Sequence, residues 1–433
     1  MSLVRGTARN VSIVATSQLL MWLATVLFTI AQAHLLGPAR FGQLSLALSY
    51  AMFLLVAIDF GLGMQLTRMV AQRTDEGAAL GATIAARCAL WLATAPLLVV
   101  ASRVLGYDPE LQATIVVLAV ATALVGISAA IESYLRGREH FLLPSAAAVV
   151  YRVVAAAVGI AVLLLGYGLL AVALSFLAGA AAYLAVMLVG LRGSAWIDVR
   201  ASIAGAPPLL RAVVPLGLWW VIGTFAFSVD MVIVERLLPD ENVGWYAAAM
   251  RLFTVATIVP SLVVGSVMAP VLSRLSLGPR EELRRVIERS LIVLVATGGA
   301  VSLAFVVFAE PIIGVLYPAD SFQPAVDALR LLGPRVLLLY VSAVLMYTLV
   351  ALHQERRLLV LVCVFAVLNP VANLIAIPLL AQNGAALVSS LTELAWLACL
   401  ARVMPADLLR SSRSLRIVSA RRPDIAVAAE EVA

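Results

Sequence analysis

Apolar runs of about twenty residues alternate with short segments that hold the charges, and this pattern recurs twelve times along 433 residues. A helix needs about 20 apolar residues to cross ~30 Å of hydrocarbon. Within lipid its backbone must satisfy its own hydrogen bonds, which favours helices for every crossing. The runs predict spans over Val11–Ala33, Gln43–Leu66, Gly81–Ala101, Leu111–Ser133, Pro144–Leu165 and Leu169–Leu191. A second set follows over Ala212–Val234, Val243–Pro270, Leu291–Leu316, Ala328–Leu352, Leu358–Leu379 and Gly384–Met404. Arg5 and Arg9 precede the first run, which ends Ala31-Gln32-Ala33 as a secretory signal does. Its length of about 20 exceeds the roughly 7–15 apolar residues of such signals, so a retained span is expected.

Composition agrees: 63% of residues are apolar, 12% are charged and mean hydropathy is +1.05. A secreted enzyme, a disulfide scaffold and a disordered chain are excluded at those values. All 30 basic residues are arginine. With the N-terminus inside, twenty-two of them fall in cytoplasmic segments and only Arg40, Arg103 and Arg236 in outside loops. Such a bias places both termini in the cytoplasm and calls for an even number of spans. The net charge of +6 therefore reports topology, and no nucleic-acid partner is expected. Cys88, Cys363 and Cys399 each lie in an apolar run and read as small buried residues. With three histidines and no CxxC, neither a metal centre nor a cofactor is expected, apart from a coupling ion discussed below.

The halves echo each other. Leu36-Gly37-Pro38-Ala39-Arg40-Phe41-Gly42 after span 1 parallels Leu238-Pro239-Asp240-Glu241-Asn242-Val243-Gly244 after span 7. Gly166-Tyr167-Gly168 and Gln382-Asn383-Gly384 occupy matching places near the fifth and sixth spans of each half. Six spans per repeat relate the halves by an axis along the membrane normal. The expected fold is thus all-α and polytopic, about twelve transmembrane helices in two pseudo-symmetric six-helix lobes, residues 1–205 and 206–404. Residues 405–433 form a cytoplasmic tail, basic and then acidic, either surface-associated or disordered. Outside loops are short, the longest being about a dozen residues near Tyr317–Asp327, and no Walker loop, nucleophile elbow or carboxylate pair appears. A transporter is expected, not an enzyme.

The Leu36–Gly42 turn, Asp59-Phe60-Gly61-Leu62-Gly63, and Asp230 followed by Val243-Gly244-Trp245-Tyr246-Ala247 resemble the polysaccharide-biosynthesis flippases. These are Wzx-type exporters of the multidrug/oligosaccharidyl-lipid/polysaccharide superfamily, and the likeness extends from Asn10 to about Met404. It implies a MATE-like fold in a bacterial cytoplasmic membrane. It also implies an undecaprenyl-pyrophosphate-linked glycan as substrate, moved to the outer leaflet by an ion gradient or the membrane potential. Membrane lipids, a polysaccharide polymerase and glycosyltransferases would be its partners. A cation-coupled multidrug extruder of the same fold and a membrane glycan polymerase or ligase are the rival readings.

Charges inside spans are costly and mark candidate sites. Arg87, Arg152, Arg251 and Arg335 lie within spans, and a pyrophosphate head calls for permanent, bidentate cations. The resemblance adds Arg9 and Arg68 at a cytoplasmic mouth, with Arg251 deeper. For Arg87 and Arg152 the competing reading is snorkelling, or pairing with Glu132. Asp59 is either an ion carrier or the partner of a neighbouring arginine. In the second half Asp230, Asn373 and Ser389 come at similar depth. Asn369 lies one turn from Asn373 on one helix face, and Thr392 and Glu393 follow Ser389. This oxygen set suits Na+ or H+ coupling and resembles the sodium site of lipid II flippases, with Asn373 where those carry an acid. The alternative is hydrogen bonding between helices. Tyr246, with Trp245, either stacks on a sugar at the outer mouth or belongs to an interfacial aromatic belt.

Overall fold

The computed structural model describes residues 2–409 except 73–75, 193–198, 261–262, 265–267 and 277. Among these the chain forms eighteen helices and no strand. The first half holds α1 (Ser2–Asp59), α2 (Leu62–Ala71), α3 (Glu76–Val104), α4 (Pro109–Gly137), α5 (Leu142–Leu164) and α6 (Leu169–Leu191). Then come α7 (Val199–Ser228), α8 (Asp230–Leu237), α9 (Asp240–Ala256), α10 (Ile258–Pro260), α11 (Ala269–Leu275) and α12 (Arg280–Val307). The last are α13 (Ala309–Leu316), α14 (Ala319–Phe322), α15 (Ala325–Ala351), α16 (Glu355–Leu380), α17 (Gln382–Val403) and α18 (Ala406–Leu409).

Ten helical runs among the described residues are long and apolar enough to cross a membrane, against twelve expected spans. The difference has two causes. The first two spans are both limbs of α1, which breaks at Gly37 (φ 72°, ψ 172°). A left-handed glycine followed by proline ends one limb and starts the next at little steric cost. The eighth span is divided among α9, α10 and α11. Residues 261–262 and 265–267 lie outside the described residues, and Pro260 in α10 and Pro270 in α11 each lack a backbone donor.

Helices of the first half pack mainly on one another, α5 and α4 on α6 and α1 on α4 and α5. In the second half α15 is the hub, packed on α9, α12 and α17, while α16 pairs with α17. The bundles meet where α1 packs on α9, α7 and α8. Helix α7 belongs to both: Ala206, Leu209 and Val213 near its start pack with Leu62, Ala82 and Ala86. The expected boundary at 205/206 thus falls inside a helix. Outward positions such as Leu92, Leu97, Ile292, Leu303, Val367 and Ile375 are more than half exposed and present an apolar belt. Because lipid is as apolar as that belt, close packing and interhelical hydrogen bonds hold the bundles together. The three cysteines are free thiols, and Cys363 faces outward among exposed valines instead of being buried.

Candidate functional site

A cavity of about 590 Å³ lies between the two bundles. From α1 come Gln32 and Ser45, from α5 Arg152, from α8 Asp230, and from α9 Arg251 and Thr254. Arg152 is exposed and Arg251 half-buried, and among the described residues neither has an ion-pair partner. Arg152 stacks over the Tyr151 ring at 5.0 Å. The two guanidiniums bear on each other electrostatically from opposite bundles. Arg251 also faces Tyr317 at one end of the bundle. Burial pushes that phenol up to about 12, with the arginine acting in the opposite direction. Gln32 Oε1 and Ser45 Oγ are buried without a hydrogen-bond partner, although an orphaned polar atom in a dry interior costs about 1–3 kcal/mol. A chamber with two unneutralised cations and orphan polar atoms on its wall is suited to a polyhydroxylated anion. Gln32 and Ser45 were not singled out from the sequence; uncharged polar residues in apolar runs were the available signal.

The other sequence-selected arginines sit elsewhere. Arg87 is buried in the first bundle, ion-paired with Asp59 and donating to Gly126 O at 2.5 Å. Glu132 lies in its electrostatic reach but pairs with Arg136 and accepts from Tyr183. Arg68 is exposed in the last turn of α2. Arg9 belongs to α1, and its side chain lies outside the described residues.

Arg335 is buried in the second bundle, its guanidinium 4.4 Å from the Phe253 ring centre and donating to Met250 Sδ. Around it lie Glu393 and the Asp230–Tyr246 pair, both within reach of its charge. Tyr246 is wholly buried: its hydroxyl donates to Asp230 and lies 3.4 Å from Ser389 Oγ. Ser389 in turn donates to Asp230 at 3.2 Å. Asn373 Nδ2 donates to Asn369 Oδ1 (2.8 Å) and O (3.0 Å), and Asn369 Nδ2 faces Thr392 Oγ1 at 3.4 Å. This leaves Asn373 Oδ1 buried without a partner. Asp230, Ser389, Asn369, Asn373 and Thr392 thus form a buried oxygen-rich set on α8, α16 and α17. Asn373 Oδ1 and the Asp230 carboxylate are hard oxygen donors of the kind small cations prefer. Asp230 connects this set to the cavity, whose wall it shares.

About one helical turn from the cavity-wall residues Ser45 and Ala247, the two bundles touch each other. The turn after Gly37 meets the start of α9 main chain to main chain. A Cβ on Gly42 would lie 2.4 Å from Asp240 O, and one on Gly244 only 2.0 Å from Pro38 O. Gln43 donates to Asp240 at 2.8 Å, Tyr107 to Glu235 at 2.9 Å, and Arg236 to Leu105 O at 2.9 Å.

Two bundles of apolar helices around a cavity that carries charged side chains define a polytopic membrane protein. The profile described as "Polysaccharide biosynthesis protein" matches residues 7–276, and the one described as MatE matches residues 215–375. The chain belongs to the polysaccharide biosynthesis family, flippases of the multidrug/oligosaccharidyl-lipid/polysaccharide superfamily. Among solved structures it is similar to the lipid II flippase MurJ in an inward closed conformation (TM-score 0.73, 15% identity, 92% of this chain and 89% of that one). It is also similar to an inward-facing multidrug resistance MATE transporter (TM-score 0.69, 16% identity, 90% and 96%). A superfamily transporter from Pyrococcus furiosus, described as having a binding pocket of reverse polarity, gives a TM-score of 0.55 at 16% identity, covering 94% and 96%. At these identities the likeness establishes the fold. No curated protein matches the chain.

Proposed function

We propose that this protein carries an undecaprenyl-pyrophosphate-linked glycan from the cytoplasmic to the outer leaflet of a bacterial cytoplasmic membrane. The observation that carries the reading is the pair of unneutralised guanidiniums, Arg152 and Arg251, reaching one cavity from opposite bundles. A diphosphate offers each of them a bidentate acceptor, and arginine stays charged at any working pH. Gln32, Ser45, Ser49 and Thr122 on the walls suit sugar hydroxyls. A multidrug extruder of cationic compounds would want the opposite sign on these walls, where Asp230 is the one carboxylate among the lining residues.

The two bundles act as the moving lobes, and the seal between Gly42 and Gly244 is the gate that opens toward the outside. A sodium ion or proton at Asp230, Asn373 and Ser389 would drive the cycle by binding its two states unequally. When bound it supplies a positive charge beside Asp230, whose hydrogen bonds from Tyr246 and Ser389 would then rearrange toward the cavity wall. Polymerase and glycosyltransferase partners would supply and consume the carried glycan.

The test is reconstitution in liposomes with a fluorescent lipid-linked diphosphate sugar. Charge-assisted hydrogen bonds contribute about 1.5–3 kcal/mol, so Arg251→Ala or Arg152→Ala should weaken diphosphate binding roughly 10- to 150-fold and stop flipping. Flipping at the wild-type rate in both variants would overturn the assignment.

A further inference from the structure

We propose that Tyr151 is a positioning residue for the cavity: its ring holds the Arg152 guanidinium in place while leaving the N–H donors free for the anionic head of the substrate. This rests on the reading above and adds to it the group that keeps Arg152 available. The two residues are neighbours on α5, and both line the cavity. Arg152 Cζ lies over the Tyr151 ring, 5.0 Å from its centre, within the range of a cation–π contact. A ring attracts the charge of a guanidinium without supplying an oxygen acceptor, so the five donors remain available to oxygen. Arg87 shows the opposite arrangement, with its donors taken by Asp59 and Gly126 O.

The ring is itself anchored. Tyr151 stacks on Tyr183 of α6, with ring centres 5.9 Å apart and planes inclined by 30°. Tyr183 is buried, and its hydroxyl donates to Glu132 of α4, which also pairs with Arg136 on the same helix. The main chain of α6 closes on Tyr151 as well. A Cβ on Gly179 would lie 2.7 Å from Tyr151 O and 3.0 Å from Tyr151 Cδ2, so the glycine permits the close approach. Three helices therefore fix the ring, and Glu132, a sequence-level candidate to pair with Arg152, acts on it only through two tyrosines.

The physical need follows from charge and reach. Arg152 is exposed, and it shares the cavity with Arg251 from the opposite bundle, whose like charge bears on it. A long arginine side chain can snorkel toward headgroups or water. In an empty cavity, repulsion from Arg251 adds to that tendency. A carboxylate beside Arg152 would resist it, but would compete with the diphosphate for the same donors. An anchored ring resists it without that competition.

The experiment uses the full-length protein in liposomes, with inorganic pyrophosphate as the binding probe. Tyr151→Leu removes the ring and should weaken pyrophosphate binding roughly 2- to 30-fold, and Tyr151→Phe should rescue it to within about twofold. In an Arg152→Ala background Tyr151→Leu should cause no further loss, because the ring acts through that guanidinium. Unchanged binding in Tyr151→Leu, or an equal loss with and without Arg152, would overturn the proposal. Normal pyrophosphate binding in Arg152→Ala alone would refute the cavity assignment and the proposal with it. Weak binding there beside normal binding in Tyr151→Leu would refute only the role of the ring, so the two failures are separable. Should Tyr151→Leu misfold, phenylalanines bearing one, two or three fluorines in place of Tyr151 keep the ring's shape while withdrawing charge from its face. Pyrophosphate affinity should then fall with each fluorine, and a flat series would overturn the proposal.

Discussion

The seal at Gly244 can be broken by one methyl group. In Gly244→Ala the new carbon would start 2.0 Å from Pro38 O, 2.7 Å from Pro38 C and 3.1 Å from Pro38 Cα, all main-chain atoms. Ordinary contact begins at 3.4 Å, so the turn must retreat by more than an ångström, and no side chain can rotate to absorb the clash. Overpacking of this kind costs about 1–3 kcal/mol, equivalent to a shift of roughly 5- to 150-fold against the sealed state. Alanine is a better helix former than glycine by about 1 kcal/mol, but that gain acts on α9 in sealed and open states alike and cannot bias them. The readout is Ser45→Cys, a cavity-wall position, in a background where Cys88, Cys363 and Cys399 are replaced. A membrane-impermeant maleimide added from outside should label it at least tenfold faster when Gly244→Ala is present, and flipping should slow because the sealed state is rarely regained. Unchanged labelling together with unchanged flipping would show that the main-chain contact does not gate the cavity.

Asp59→Asn strands the Arg87 guanidinium with Gly126 O and should cost about 1–3 kcal/mol of stability. Asp59→Asn combined with Arg87→Met should restore the melting temperature and retain flipping; a stable but inactive double variant would make the pair functional. Replacing Gln32 by Leu and Ser45 by Ala removes two orphan polar atoms, so a glycan-bearing substrate should bind roughly 5- to 150-fold more weakly while pyrophosphate binds unchanged. Equal losses for both ligands would argue against sugar contacts there. Sodium at 100 times its dissociation constant should stabilise the native protein by about 2.7 kcal/mol. The thermal shift should vanish in Asp230→Asn, and a shift of the same size in that variant would remove Asp230 from the ion site.

Hydropathy revealed the crossings because lipid enforces a minimum apolar length on every one, and the glycine–proline pair at Gly37 marked the reversal inside α1. Helix facing was less legible. In a soluble helix the polar side points to water, but these helices are apolar on all sides, so nothing along the chain separates Arg152, which opens on the cavity, from Arg87, which is locked to Asp59. That distinction depends on contacts between residues far apart in sequence. Tyr246 illustrates the same limit. Its place near a helix start suggested a mouth or a belt, whereas its hydroxyl is spent on Asp230 in the interior of the second bundle. The oxygen-rich set was more legible, since Asn369 and Asn373 are spaced by one helical turn and can share a face.

Helix α7 starts on the first bundle and finishes in the second without a break from Val199 to Ser228. The halves of this molecule are therefore coupled by a stiff strut, not by a slack tether. Three prolines lie inside that strut, Pro207, Pro208 and Pro215, and the last is flanked by the contacts of Leu216 and Gly217 with Gly61 and Phe60, so any bend there presses directly on the first bundle.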